Sequence, residues 1–144
     1  MIMVVVIVIV LGLALSVVVA IARDKGPGPD DVAVSYELAW DRLDFESLFT
    51  LSAAELRDGL DRRAFIAAKK TAYEQQHALR GLVDRVGVDG VASTREAAVV
   101  ITRVELSDRA VVHNRVELAR RNARWQVVAY RLVPSDEDSS HAGS

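Results

Sequence analysis

A long apolar run at the start of the chain constrains what the whole sequence can become. Residues 2–22 contain no charged side chain, and Arg23, Asp24 and Lys25 follow them directly. As a helix that rises 1.5 Å per residue, the run would span about 31 Å, which matches the hydrocarbon core of a bilayer. The sequence therefore predicts a single membrane-spanning anchor over residues 1–25, flanking charges included. It also predicts that residues 2–22 contact the lipid bilayer and that the protein resides in the cell membrane.

Two features of this anchor stay open. Ala20, Ile21 and Ala22 form the small-x-small pattern that signal peptidases cleave, but no charged stretch precedes the run and the run exceeds a usual signal core. We therefore prefer a retained anchor to a cleaved signal peptide. Arg23 and Lys25 follow the run, which by the positive-inside rule favours a cytoplasmic domain. An upstream start codon or an unusual signal anchor would instead place the domain outside.

The charged residues all lie beyond the apolar run. The 18 Lys and Arg and the 20 Asp and Glu leave a net charge of −2, and the charges alternate in sign along the chain. A nucleic-acid binder usually has a strong basic excess, so nucleic acid is not an expected partner. The chain has no cysteine, which excludes disulfides, a thiolate nucleophile and a zinc-thiolate site. The remaining hundred or so residues are enough for one domain.

The first part of that domain has the patterns of helices. Residues 26–29, Gly-Pro-Gly-Pro, predict a short linker, and Asp30 and Asp31 are the N-cap candidates behind it. A first helix then places Ala33, Tyr36, Trp40 and Leu43 on one apolar stripe.

Two further helices are predicted before the pattern changes. Asp44-Phe45-Glu46 restarts a short helix, and Ser52-Ala53-Ala54-Glu55 reads as a capping box for the next turn. Asp61 caps a third helix that ends near Gln76. Lys69 and Lys70 should face water, whereas the buried face should consist of Phe65, Ile66, Ala68, Ala72 and Tyr73.

From residue 82 onward the apolar period becomes two, which is typical of strands. Four strands are predicted, over residues 82–88, 97–106, 110–119 and 125–133. Turns are expected at Asp89-Gly90, Ser107-Asp108 and Arg121-Asn122. Helices followed by antiparallel strands indicate an α+β domain over residues 30–133. Residues 134–144 are polar and acidic, which predicts a disordered tail.

These patterns together resemble the nuclear-transport-factor-2-like (NTF2-like, cystatin-like) fold, and in detail its small membrane-anchored members from high-GC bacteria. The resemblance implies three helices packed on a curved four-stranded antiparallel sheet. The fold includes isomerase-like and dehydratase-like enzymes, but also many proteins without assigned chemistry, so it does not assign an activity. The matching segments are Asp44-Phe45-Glu46, Leu56-Arg57-Asp58-Gly59-Leu60, residues 65–70 with Tyr73, Val111-Val112-His113-Asn114 and residues 124–130.

Candidate ligand-binding residues are those that could line a cavity between helices and sheet. They are Tyr36, Trp40, Tyr73, Asn114 and Tyr130, although aromatic residues on such faces also serve as ordinary core. In the third strand Asn114 shares the apolar face, whereas His113 shares the other face with Arg115 and Glu117. No catalytic residue, metal-binding set or cofactor is predicted.

Three functions remain compatible with the sequence. We favour a membrane-tethered, non-catalytic module that binds a small apolar ligand in its cavity, or a protein partner or second copy through its sheet. An isomerase or dehydratase would need a carboxylate or imidazole deep in the cavity, and the apolar faces assigned above contain none. A structural subunit of an envelope complex is the third alternative.

The division into anchor and domain is testable. A fragment that begins at Gly26 should be soluble and folded, because residues 2–22 hold the only long apolar run. Circular dichroism and size-exclusion chromatography without detergent check this. If the fragment aggregates while the full chain is stable in detergent, the division is wrong.

Overall fold

The computed structural model describes residues 26–134. The predicted anchor and all of the predicted tail after Pro134 lie outside the described residues, so both stay predictions. Within residues 26–134, no helix combines the length and the apolar character that a membrane crossing requires.

The described residues form helices first and strands second, as expected for an α+β domain. The helices are α1 (Pro29–Arg42), α2 (Phe45–Leu51) and α3 (Arg62–Tyr73), with 3₁₀ turns at Ala54–Leu56 and His77–Leu79. The strands are β1 (Val83–Ser93), β2 (Ala97–Leu106), β3 (Val111–Arg121) and β4 (Arg124–Val133). They pair antiparallel in the order β1-β2-β3-β4. The predicted three helices and four-stranded sheet are confirmed.

Helix α1 begins two residues earlier than an N-cap at Asp30 would place it. Gly28 is its N-cap and Pro29 its first residue, a position where proline's missing N–H costs nothing. Asp31 lies in the first turn, where its carboxylate accepts a hydrogen bond from the Gly28 N–H at 3.2 Å. The N-cap prediction at Asp30 or Asp31 is therefore wrong, and Pro29 belongs to the helix rather than to the linker.

Two of the three predicted helix starts are confirmed by their caps. Asp44 accepts hydrogen bonds from the Ser47 hydroxyl at 2.6 Å and the Ser47 N–H at 3.1 Å, and these bonds lower the pKa of Asp44. Asp61 accepts a bond from the N–H of Ala64 at 2.8 Å. Both caps are local interactions, which is why the sequence pattern was sufficient to predict them.

The predicted capping box at Ser52 does not form. Ser52 is the extended residue that ends α2, it is buried, and it forms an isolated parallel bridge with Val127 of β4. The N–H of Ala53 donates to the Val127 carbonyl at 2.8 Å. Pairing with a strand more than seventy residues away thus takes the place of the local cap.

Strand β1 also differs from the prediction. Asp89-Gly90 is not a turn, because the strand continues through it and the register with β2 shifts between Val88 and Gly90. Asp89 is the extra residue of a bulge, and bulges increase the local bend and twist of a strand. The turn lies at residues 94–96 instead, where the N–H of Thr94 donates to the Ala97 carbonyl at 2.8 Å.

The core lies between α1, α2, α3 and one face of the sheet. Phe65 is the buried residue of α3, and it meets Phe49 edge to face at 5.4 Å between ring centroids. Ala68 and Ala72 are exposed, contrary to the prediction. The Nζ atom of Lys69 lies over two rings, 5.6 Å from the centroid of Trp40 and 5.4 Å from that of Phe65. The face of α3 that packs on the core therefore consists of Phe65, Ile66 and Tyr73, without the two alanines. The other central core residues are Val32, Ala33, Leu48, Val100, Val116, Leu118 and Val127.

Phe65 should contribute strongly to stability. Replacement of this 2 % exposed ring by alanine leaves a cavity between α2 and α3, so Phe65→Ala should lower the free energy of unfolding by about 3–5 kcal/mol. Leu132→Ala is the control, since Leu132 is 63 % exposed and should change it by less than about 0.5 kcal/mol. Urea unfolding followed by circular dichroism measures both. Equal, small effects would show that α3 packs by another face.

Candidate functional site

A carboxylate from α1 lies buried against the sheet. Glu37 is only 5 % exposed, and its Oε2 accepts a hydrogen bond from the Tyr130 hydroxyl at 2.7 Å. Its Oε1 accepts two more, from the Thr102 hydroxyl at 2.7 Å and the Asn114 amide at 2.9 Å. The same Asn114 amide also donates to the Tyr130 hydroxyl oxygen at 2.9 Å. We call these four residues the Glu37 cluster.

Strand register brings the three donors to one face. Thr102 in β2 lies opposite Asn114 in β3, and Tyr130 in β4 lies opposite Val116, two residues further along β3. Residues two apart in a strand point to the same side, so all three face the helices. Glu37 occupies the α1 turn that crosses this point. The cluster thus joins one helix to three strands.

Every polar neighbour of the carboxylate is a hydrogen-bond donor. Burial, and then the charge of Glu37 and the hydrogen bond to it, raise the pKa of the Tyr130 hydroxyl, which therefore keeps its proton and donates it. A buried carboxylate is costly unless it is hydrogen-bonded, and no described Lys, Arg or His side chain bonds this one. Three neutral donors perform that role instead.

A row of aromatic side chains runs beside the cluster. The Tyr36 ring packs edge to face on the Tyr130 ring, with 5.2 Å between the ring centroids. It packs in the same way on the Trp40 ring, at 6.4 Å. Trp40 in turn meets Tyr73 at 5.6 Å. The Trp40 indole N–H is buried and finds no hydrogen-bond acceptor within residues 26–134. Such an unsatisfied donor typically costs about 1–3 kcal/mol.

An open groove of about 250 Å³ leads to the cluster. Its polar end is formed by Glu37, Asn114 and Tyr130, with Trp40 and Asp41 beside them. Its walls are aliphatic, and two of the leucines at this groove, Leu79 and Leu82, are 48 % and 43 % exposed. The aliphatic residues of the lining are Leu79, Leu82, Val83, Val104, Leu106 and Val112. We call this feature the Glu37 groove.

Larger hollows in the described part of the chain lack such a polar end. One of about 440 Å³ between α1 and α2 is lined by Arg42, Asp44, Glu46 and Arg62. Two of these charges already pair, since Arg62 Nη1 lies 2.8 Å from Glu46 Oε2, and Asp44 caps α2. These are solvent-exposed groups with structural partners. The Glu37 groove combines aliphatic walls with a buried polar end, which is typical of small-molecule sites.

The five predicted site residues are placed differently by the fold. Trp40, Asn114 and Tyr130 line the Glu37 groove. Tyr36 is buried behind them, and Tyr73 lies at the far end of the aromatic row, against Phe45 at 6.0 Å. The last two therefore support the groove without lining it.

Sequence reasoning missed Glu37, although a signal was present. Glu37 follows Ala33 by four residues and precedes Trp40 by three, so it lies on the predicted apolar stripe of α1. The expectation that the apolar faces contain no carboxylate is therefore wrong. Thr102, fully buried on the inner face of β2, was also missed.

His113 lies on the opposite face of the sheet, as predicted. Its side chain is half exposed, and Nε2 lies 2.8 Å from Asp89 Oδ2, the bulge residue of β1. Asn114 points to the buried face and is 7 % exposed. Within residues 26–134, no three His, Asp or Glu side chains are grouped so that they could hold a metal ion.

Comparison with known proteins shows the fold. No family model and no curated protein matches this chain. A Campylobacter jejuni structure described as a candidate NTF2-like transpeptidase matches with a TM-score of 0.55 and 16 % identity, over 70 % of this chain and 97 % of its own. A SEC-C motif containing protein from Rhodopseudomonas palustris matches with a TM-score of 0.50 and 19 % identity, over 74 % and 79 %. At such identities the comparison supports an NTF2-like fold and assigns no activity.

Asn114 and His113 point to opposite faces of β3, so their replacement should change the free energy of unfolding by different amounts. Asn114→Ala removes two hydrogen bonds of the buried cluster and should lower the free energy of unfolding by about 1–3 kcal/mol. His113→Gln breaks only a surface contact and should change it by less than about 1 kcal/mol. Thermal and urea unfolding of both variants test this. A larger loss for the histidine variant would contradict the assignment of faces.

Proposed function

We propose that this domain is a membrane-tethered, non-catalytic binding module that takes a small, mostly apolar ligand in the Glu37 groove. The lining of the groove carries the proposal, because aliphatic walls would bury the body of a ligand while Asn114, Tyr130 and Glu37 would meet one polar group on it. The volume of about 250 Å³ suits a ligand smaller than a typical drug molecule.

The polar end of the groove favours a ligand that carries a hydroxyl. Oε2 of Glu37 accepts one hydrogen bond, from Tyr130, so a ligand hydroxyl could donate a second one to it. An apolar ring or chain that ends in a hydroxyl is therefore the expected ligand class.

Glu37 also supplies the carboxylate that an isomerase-type enzyme would need. A general base, however, must direct a free lone pair at the proton that it removes. Here Oε1 already accepts two hydrogen bonds and Oε2 one, so a single lone pair remains, and donors from three strands fix its direction. The carboxylate is held as part of the scaffold, which favours binding over proton abstraction.

Acyl-transfer chemistry, as the description of the Campylobacter jejuni protein would suggest, has less support. It requires a nucleophile activated by an adjacent base. The chain has no cysteine, and no described serine hydroxyl bonds a histidine. The outer sheet face also has less support as a partner surface, because Glu117 there already pairs with Arg115 at 2.9 Å and Arg131 at 3.4 Å.

Binding can be followed through the two tryptophans by nuclear magnetic resonance. In the fragment that begins at Gly26, p-cresol should shift the indole N–H signal of Trp40, which lines the groove, and leave that of Trp125 unchanged. Leu82→Ala removes part of the groove wall and should weaken binding about fivefold. Val111→Ala truncates an exposed apolar side chain on the opposite face of β3, outside the groove lining, so it is the control and should not change affinity.

Two results would overturn the proposal. One is the absence of any Trp40 shift at about 10 mM p-cresol, roughly ten times the dissociation constant of a 1 mM ligand. The other is an equal effect of Leu82→Ala and Val111→Ala, which would indicate contact with exposed apolar side chains in general. Toluene in place of p-cresol should bind more weakly, because it lacks the hydroxyl.

A further inference from the structure

The described chain starts at the same end of the domain as the β3–β4 turn. Gly26 and Pro27 line one hollow of about 520 Å³ together with Asn122, Arg124 and Trp125. Asn122 and Ala123 form a tight turn with positive φ angles of 52° and 62°. The point where the predicted anchor would join the domain is therefore next to this hairpin.

The β1–β2 turn lies at the same end. The N–H of Arg120 donates to the Glu96 carbonyl at 2.8 Å, which holds the two hairpin turns side by side. We call residues 94–96 and 120–125, together with Gly26, the tether end. It carries four arginines, which are Arg95, Arg120, Arg121 and Arg124.

Three of these arginines have no acidic partner. Arg121 bonds Glu55, with Nη1 at 2.8 Å from Oε2. Arg95, Arg120 and Arg124 form no ion pair within residues 26–134, and Arg120 and Arg124 are exposed. The tether end also contains one exposed acid, Glu96, and of the two acids at the start of α1 Asp31 bonds the Gly28 N–H. The tether end thus presents free guanidinium groups, which bind phosphate well through paired N–H donors.

The short tether limits how far this end can lie from a bilayer. Arg23, Asp24 and Lys25 separate the apolar run from Gly26, and an extended chain covers at most about 3.5 Å per residue. Gly26 would then lie within about 14 Å of the hydrocarbon, close to a headgroup layer that is roughly 5–7 Å deep.

We propose that the tether end docks onto anionic phospholipid headgroups. Arg95, Arg120 and Arg124 bind the phosphates, and the half-buried Trp125 lies at the level of the headgroups, where tryptophan is favoured. Because Asp41 of the Glu37 groove lies at the far end of the 14-residue helix α1, docking turns the groove away from the membrane. The inference rests on the tethering part of the proposed function.

The test uses the full chain in lipid nanodiscs, either of phosphatidylcholine alone or with phosphatidylglycerol added. Amide hydrogen exchange of residues 121–125 should be slowed about fivefold or more by the anionic lipid, a factor that roughly one basic contact with an anionic surface would supply. The variant R95Q/R120Q/R124Q should lose this difference. The variant R85Q/R103Q/R109Q removes the same charge away from the tether end and should keep it.

The outcomes separate the two proposals. Failure of the full chain to co-elute with nanodiscs overturns the tether and, with it, the docking. Co-elution without any effect of lipid charge on exchange overturns the docking alone. An equal loss in both triple variants also overturns it, because the effect would then reflect total charge rather than this surface.

Discussion

The structure depends on one interaction, the burial of the Glu37 carboxylate between α1 and the sheet. Glu37 has no cationic partner within the described residues, so its burial is stabilised only by Thr102, Asn114 and Tyr130. Each donor comes from a different strand, and each must be in register for all three bonds to form. A polar cluster of this kind is favourable only when every member is satisfied, which makes the position of α1 on the sheet specific.

The same cluster gives the groove its chemistry. Aliphatic walls alone would accept any apolar molecule, whereas a buried carboxylate, amide and phenol at one end discriminate strongly between ligands with and without a matching polar group. The structural and binding roles do not conflict, because the donors that hold Glu37 are on rigid strands. A site supported in this way is organised before a ligand arrives, so less ordering is needed on binding.

The domain has two functional ends under these proposals. The turns at residues 94–96 and 120–125 lie at one end with Gly26, and Leu79, Leu82 and the Glu37 groove lie near the other. Antiparallel strands of ten or eleven residues separate hairpin turns in this way. A tethered domain with this geometry would hold its binding site at a distance from the bilayer and keep it open.

The sequence by itself determined the local features. The caps at Asp44 and Asp61, the extent of β2 and the opposite faces of His113 and Asn114 follow from interactions within a few residues or from the period of a strand. Only the tertiary structure decided the bulge at Asp89, the pairing of Ser52 with Val127 and the burial of Glu37. In these three cases partners that are distant in the chain replace what a local pattern favours. An acidic residue on an apolar stripe is buried only if three donors from β2, β3 and β4 meet it, and no single segment of the chain contains that information.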